Sequence, residues 1–104
     1  MISGDRLLSI LAALDNPHRL RIIALLQTDG RNYVSQLARQ IGISRPLLHL
    51  HLNKLEEAGL VISQLELSKD GKALNFFDIA PFSLDLTPAF IADAVRTLTP
   101  KPDK

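Results

Sequence analysis

The chain has 104 residues, 46% of them hydrophobic, with a net charge of +1 and no cysteine. This length suits one domain with a modest core, and the high apolar share leaves surface for a partner. Without thiols, disulfides and thiolate metal sites are excluded.

In chain order, the first predicted helix covers Asp5–Leu14, with Leu7, Leu8, Ile10, Leu11 and Leu14 forming an apolar stripe. Its run LLSILAAL is too short to span a bilayer and lacks a convincing cleavage site, so the expectation is a cytoplasmic protein with no membrane partner. A second helix is predicted over Pro17–Thr28 and a third over Tyr33–Ile41, the latter carrying Val34, Leu37, Ala38 and Ile41 at helical spacing after an Asn32 cap. Gly42 interrupts the pattern before Ser44 starts a fourth helix over Arg45–Ala58.

That fourth helix is the most informative segment. Ser44 is a good N-cap, Pro46 fits the first turn, and Gly59 supplies the stop. At 100° per residue, Leu48, His51, Leu52 and Leu55 share one face, whereas Pro46, Leu50, Asn53 and Lys54 share the other, flanked by Leu47 and His49. Helix, glycine-containing turn and helix form a helix-turn-helix pattern. Strands predicted over Val61–Leu67 and Leu74–Ala80, joined across Asp70-Gly71, add a hairpin behind it. A last helix, Pro88–Leu98, opens on Thr87-Pro88 and carries Phe90, Ile91, Ala94, Val95 and Leu98 as a second apolar stripe.

Three segments resemble one family. Asn16-Pro17-His18-Arg19-Leu20-Arg21-Ile22 is similar to the second-helix motif of ArsR-type winged-helix regulators. Ser35-Gln36-Leu37-Ala38 with Gly42-Ile43-Ser44 resembles their first helix-turn-helix segment, and His51-Leu52, Leu55 and Ala58-Gly59-Leu60-Val61 resemble the end of their recognition helix. The resemblance runs from about Leu14 to Ala80. It implies a winged helix-turn-helix of mainly α class with a small β-hairpin wing, in the order ααααββα. Residues 1–98 are then a single domain, with 99–104 a frayed tail.

The resemblance implies a DNA-binding transcriptional regulator, a repressor, acting as a homodimer. Ten residues are assigned to the dimer seam: Leu7, Leu8, Ile10, Leu11 and Leu14 with Phe90, Ile91, Ala94, Val95 and Leu98. The other reading has both stripes folding back on their own core. Two-fold symmetry places the recognition helices about 34 Å apart, on a pseudo-palindromic double-stranded site.

On the fourth helix, Arg45, His49 and Asn53 suit hydrogen bonds to base edges or phosphates, and Leu47 and Leu50 suit apolar contacts such as a thymine methyl. Ser44, Pro46 and Lys54 complete that face. Lys69 and Lys72 flank the hairpin tip and are candidates for the phosphate backbone, the alternative being a merely soluble turn. Gln36, with Tyr33 and Ser35, is a further phosphate candidate. Leu50 departs from the family pattern, where a polar or histidine side chain is common, and two leucines on this face suit a protein partner too.

Charge gives little direction. Residues 31–72 hold six basic and four acidic side chains, so the fold and motif must carry the reading. A protein–protein interaction module is therefore the rival. His51 points to the packed side as a structural histidine, His49 and His51 lie about 200° apart and cannot share a metal ion, and His18 reads as a surface residue. Tyr33-Val34-Ser35 has no thiolate and the last helix has no histidine, so the expectation is no metal-sensing site and no cofactor. No nucleophile–base set, H-E-x-x-H motif or glycine-rich phosphate loop is present, which argues against an enzyme. The residues name no effector and no target.

Overall fold

The computed structural model describes residues 2–100. Five helices and a three-stranded antiparallel sheet follow in the order α1 (Gly4–Leu14), α2 (Pro17–Asp29), β1 (Asn32–Tyr33), α3 (Val34–Ile41), α4 (Arg45–Glu57), β2 (Val61–Leu67), β3 (Ala73–Ile79) and α5 (Pro88–Val95). This is a winged helix-turn-helix. Local chemistry sets the helix starts: Ser3, Asn16, Ser44 and Thr87 each accept from a free backbone N–H in the first turn of the helix that follows. Prolines stand in the first turns of α2, α4 and α5, where their missing N–H costs nothing.

The turn between α3 and α4 depends on Gly42, which takes left-handed backbone angles (φ 80°, ψ 35°) and donates its N–H to the Ala38 carbonyl at 2.8 Å. A side chain there would be strained. The core lies beneath this turn, where Ile22, Leu26, Leu37, Leu48, Leu52, Leu55, Leu60 and Val61 are essentially sealed from solvent. Removing any one of the leucines to alanine costs ~2–5 kcal/mol, because such a site collapses only partly.

The sheet order is β1-β3-β2. β1 is the element absent from the sequence expectation, which had Asn32 as the cap of the third helix. Asn32 and Tyr33 instead pair with Phe77 and Phe76 of β3, and the Asn32 side chain accepts from the Tyr33 N–H at 2.9 Å. Tyr33 occupies the cap position of α3 with no side-chain cap bond. The wing hairpin pairs Val61 with Ile79 through to Leu67 with Ala73. Its tip turns at Gly71, φ 80°, with Ser68 N–H bonded to the Lys72 carbonyl at 2.7 Å.

Long side chains fix how these pieces sit. Arg31, between α2 and β1, pairs with both carboxylate oxygens of Glu66 on β2 and lies 4.3 Å from the Phe76 ring centroid, so one guanidinium spans the sheet. Arg31 holds the Glu66 carboxyl below its ordinary range. Arg6 of α1 donates to the Ala58 carbonyl at the end of α4, passing over Gly59, where a Cβ would stand 2.8 Å from the guanidinium.

α5 ends at Val95, shorter than the expected Pro88–Leu98, and the chain then tightens through three short-range backbone bonds, from Arg96, Thr97 and Leu98 back to Asp93, Ala94 and Val95. α1 and α5 lie together: Gly4 N–H bonds Thr97 Oγ1 at 2.9 Å, and Thr99 N–H bonds Asp5 Oδ1 at 3.0 Å. The Thr99 contacts hold the Asp5 carboxyl below its usual value. Thr99 thus bonds back to α1, and residues 101–104 of the tail expected to fray lie outside the described part. The expected seam divides. Leu7, Ile10 and Ala94 are buried within the single chain and Leu14, Phe90 and Leu98 are half-buried, whereas Leu8, Leu11, Ile91 and Val95 remain exposed. The radius of gyration, 16.2 Å, exceeds the ~13 Å of a compact chain of this length.

Candidate nucleic-acid interface

α4 is the centre of the candidate surface. Leu48, His51, Leu52 and Leu55 are buried, and Arg45, Pro46, Leu47, His49, Leu50, Asn53 and Lys54 are all exposed, together with the capping Ser44. The division follows the helical period. The Ser44 hydroxyl accepts from Leu47 N–H at 3.3 Å and its carbonyl accepts from Leu48 N–H at 2.9 Å, while Pro46 has no N–H, so the first turn of α4 is closed by its own cap.

Beneath the exposed face the helix is seated through His51. Its ring is buried, and Nδ1 accepts from Arg19 Nε at 3.2 Å, which requires that nitrogen to be unprotonated. Arg19 Nη1 also donates to the Ala12 and Ala13 carbonyls at 3.2 Å each, so one arginine joins the end of α1 to the inner face of α4. Burial, the Arg19 charge and His18 together push the His51 imidazole below its ordinary value. Arg19 thus serves the scaffold. His18, expected at the surface, is half-buried with its ring centroid 5.3 Å from that of His51 and its Nδ1 buried without a partner.

Arg45 and His49 open onto a shallow depression between α4 and the wing, lined also by Tyr33, Val34, Ser35, Ala73, Leu74 and Asn75. The fold thereby brings Tyr33 and Ser35 beside the fourth-helix residues. Asn75 is an addition that sequence reading passed over. Its signal was available, since strand alternation puts Asn75 on the same sheet face as Ala73 and Phe77. Gln36 is half-buried on α3, and Lys69 and Lys72 are exposed at the hairpin tip, outside this depression. Among the described residues, no three His, Asp or Glu side chains converge as a metal site would require, and no helix is long and apolar enough to cross a membrane.

Residues 14–64 match the helix-turn-helix domain family. This segment, just under half of the chain, is similar to that family. Over 55 residues, 53% of the chain, the protein is 44% identical to an uncharacterized HTH-type transcriptional regulator of Methanocaldococcus jannaschii, and it spans 57% of that relative's length. A solution structure from Mycobacterium bovis superposes with a TM-score of 0.65 at 25% identity, covering 88% of this chain and 70% of the other. It is described as a homodimeric winged helix-turn-helix DNA-binding domain and "a possible ArsR-family transcriptional regulator". The transcriptional repressor BigR from Xylella fastidiosa superposes with a TM-score of 0.59 at 26% identity, over 89% and 82% of the two chains. The ArsR-type resemblance seen in the sequence thus agrees with a structural neighbour described as a possible ArsR-family regulator, and the sequence relative is an HTH-type regulator. The curated relative and these solved structures are described as transcriptional regulators.

Proposed function

We propose that this winged helix-turn-helix protein is a homodimeric, sequence-specific regulator of the ArsR type that binds double-stranded DNA as a repressor, with no metal-sensing site. The observation that carries the reading is α4 itself: one face is sealed into the core while the opposite face presents Arg45, His49, Asn53 and Lys54 to solvent beside an exposed wing. Such a helix fits the major groove, which admits an α-helix and exposes distinguishable base edges. Arg45, His49 and Asn53 then meet bases, Lys54, Lys69, Lys72 and Gln36 meet phosphates, and Ser44 and Pro46 set the helix end against the backbone. Residues 1–98 act as one unit.

Leu8, Leu11, Ile91 and Val95, exposed on adjoining helices, support a two-fold seam between copies, with Leu14, Phe90 and Leu98 at its edge. Leu7, Ile10 and Ala94 support that seam from beneath. A dimer presents two α4 helices to successive major grooves, and its site is a pseudo-palindrome with half-sites about 34 Å apart. A second reading, a protein-docking module, is favoured by one observation: Leu47 and Leu50 are 38% and 53% exposed on the same face. A salt titration of duplex binding separates the two. Phosphate contacts release counterions, so a regulator loses affinity linearly in log salt, whereas a docking module binds no duplex with such a slope.

A further inference from the structure

We infer that Leu50 is a specificity residue that reads the C5 methyl group of a thymine at a fixed position in each half-site. This rests on the proposal that α4 enters the major groove. The buried residues of α4 centre on the direction between Leu48 and Leu52 on one side and His51 and Leu55 on the other. Counting 100° per residue, the opposite direction is shared by Pro46, Leu50, Asn53 and Glu57, so Leu50 stands near the outward apex, about midway along the helix. It is 53% exposed there, at a position where solvent alone favours a polar side chain.

The surroundings of Leu50 suit a polyanion better than an apolar protein face. Lys54 lies exposed one turn on, His49 and Asn53 adjoin, and Arg45 stands exposed in the first turn on the flank toward the wing. The acidic residues of α4, Glu56 and Glu57, are confined to its last turn, and Glu56 accepts a bond from Ser63 Oγ at 2.7 Å. An alkyl side chain carried into the groove by such a helix has two outcomes. Against N7, O6 or an exocyclic amine it strips water from a polar edge and returns no hydrogen bond, which is unfavourable. Against thymine it meets the one apolar group on the groove floor. Leu50 therefore rewards thymine and penalises guanine or cytosine at the base pair it covers. Leu47 points toward the flank of the helix and does not share that apex.

The test uses the full chain. A preferred duplex is selected from a random-sequence library, and each thymine of a half-site is then replaced singly by deoxyuridine, which removes only the methyl group. Loss of one buried methyl should weaken binding about fourfold at a single thymine per half-site. Leu50→Ala should abolish that sensitivity at that position and leave the response to other substitutions in place. Leu50→Asn, which keeps a side chain of similar size at an exposed site, should do the same and guards against an effect of folding. Equal affinity of all uracil-substituted duplexes, or undiminished sensitivity in both variants, would overturn the inference while leaving DNA binding intact. Failure to bind any duplex would overturn both readings together.

Discussion

Gly4→Ala tests the contact on which the proposed dimer seam is built. Gly4 is buried at the start of α1, and an added Cβ would stand 2.5 Å from the Ala94 carbonyl oxygen and 2.9 Å from Leu98 Cβ. Neither atom can rotate aside, since one is backbone and the other is fixed directly to it. Reaching an ordinary contact requires α1 and α5 to part by roughly 1 Å, which also stretches the 2.9 Å bond from Gly4 N–H to Thr97 Oγ1. Overpacking of this kind costs ~1–3 kcal/mol. Alanine returns at most ~1 kcal/mol of helix propensity, and less in the first turn. The net expectation is a loss of about 1–2 kcal/mol, or a melting point lower by roughly 5–10 °C in a domain of this size. Sedimentation should show weaker self-association as well, because Leu8, Leu11, Ile91 and Val95 are presented by the two helices that move apart. A Gly4→Ala protein as stable as the parent and equally dimeric would refute the close approach of α1 to α5.

Leu11→Glu or Ile91→Glu should give a folded monomer by sedimentation at micromolar concentration, because either places an unpaired carboxylate inside the seam; a persistent dimer would move the seam elsewhere. Alanine at Arg45, His49 or Asn53 should cost ~1–3 kcal/mol on the preferred duplex and relax discrimination at one base pair, whereas alanine at Lys69 or Lys72 should weaken all duplexes alike and lower the salt slope by about one. Added zinc, cadmium or arsenite should not release the protein from DNA at low micromolar concentration; stoichiometric release would reveal a sensory site. In urea titrations at fixed pH, stability should fall as the solution is acidified from pH 7 through the ordinary histidine value. The depressed His51 pKa means that the unfolded chain takes up this proton first, so stability tied to neutral His51 is complete above the unfolded value and declines below it. A second decline at more acid pH should follow as Glu66 and Asp5, both depressed in the folded chain, are protonated. His51→Phe should flatten the first decline and leave the second.

The parts of this fold legible in the sequence are those decided within a few residues. Ser44, Pro46 and Gly59 mark the ends of α4 because capping and left-handed turns depend on the local backbone, and the apolar period names its buried face. β1 was not legible in that way. Asn32 and Tyr33 hold two rungs to Phe77 and Phe76, more than forty residues on, and nothing in so short a segment shows an alternation. The same holds for Arg6 on Ala58, Arg31 on Glu66 and Arg19 on His51, each a long side chain that reaches a distant element. Sequence gives such residues a charge and leaves the destination open.

The two terminal stripes show where periodicity stops being informative. A run such as Leu7, Leu8, Ile10, Leu11 and Leu14 covers a wider arc than one neighbouring helix can bury, so it must serve two surfaces, and spacing alone does not say which residue serves which. Gly4 decides the division. Its lack of a side chain lets α5 approach α1 closely at Ala94, where Leu7 and Ala94 are buried, while Ile10 belongs to the main core and Leu8, Leu11, Ile91 and Val95 stay exposed. α4 repeats the logic with a different remainder. Its inner face is consumed by the core and by His51, so the outer face with Leu50 and Lys54 is exposed, and the proposed DNA contact falls to it.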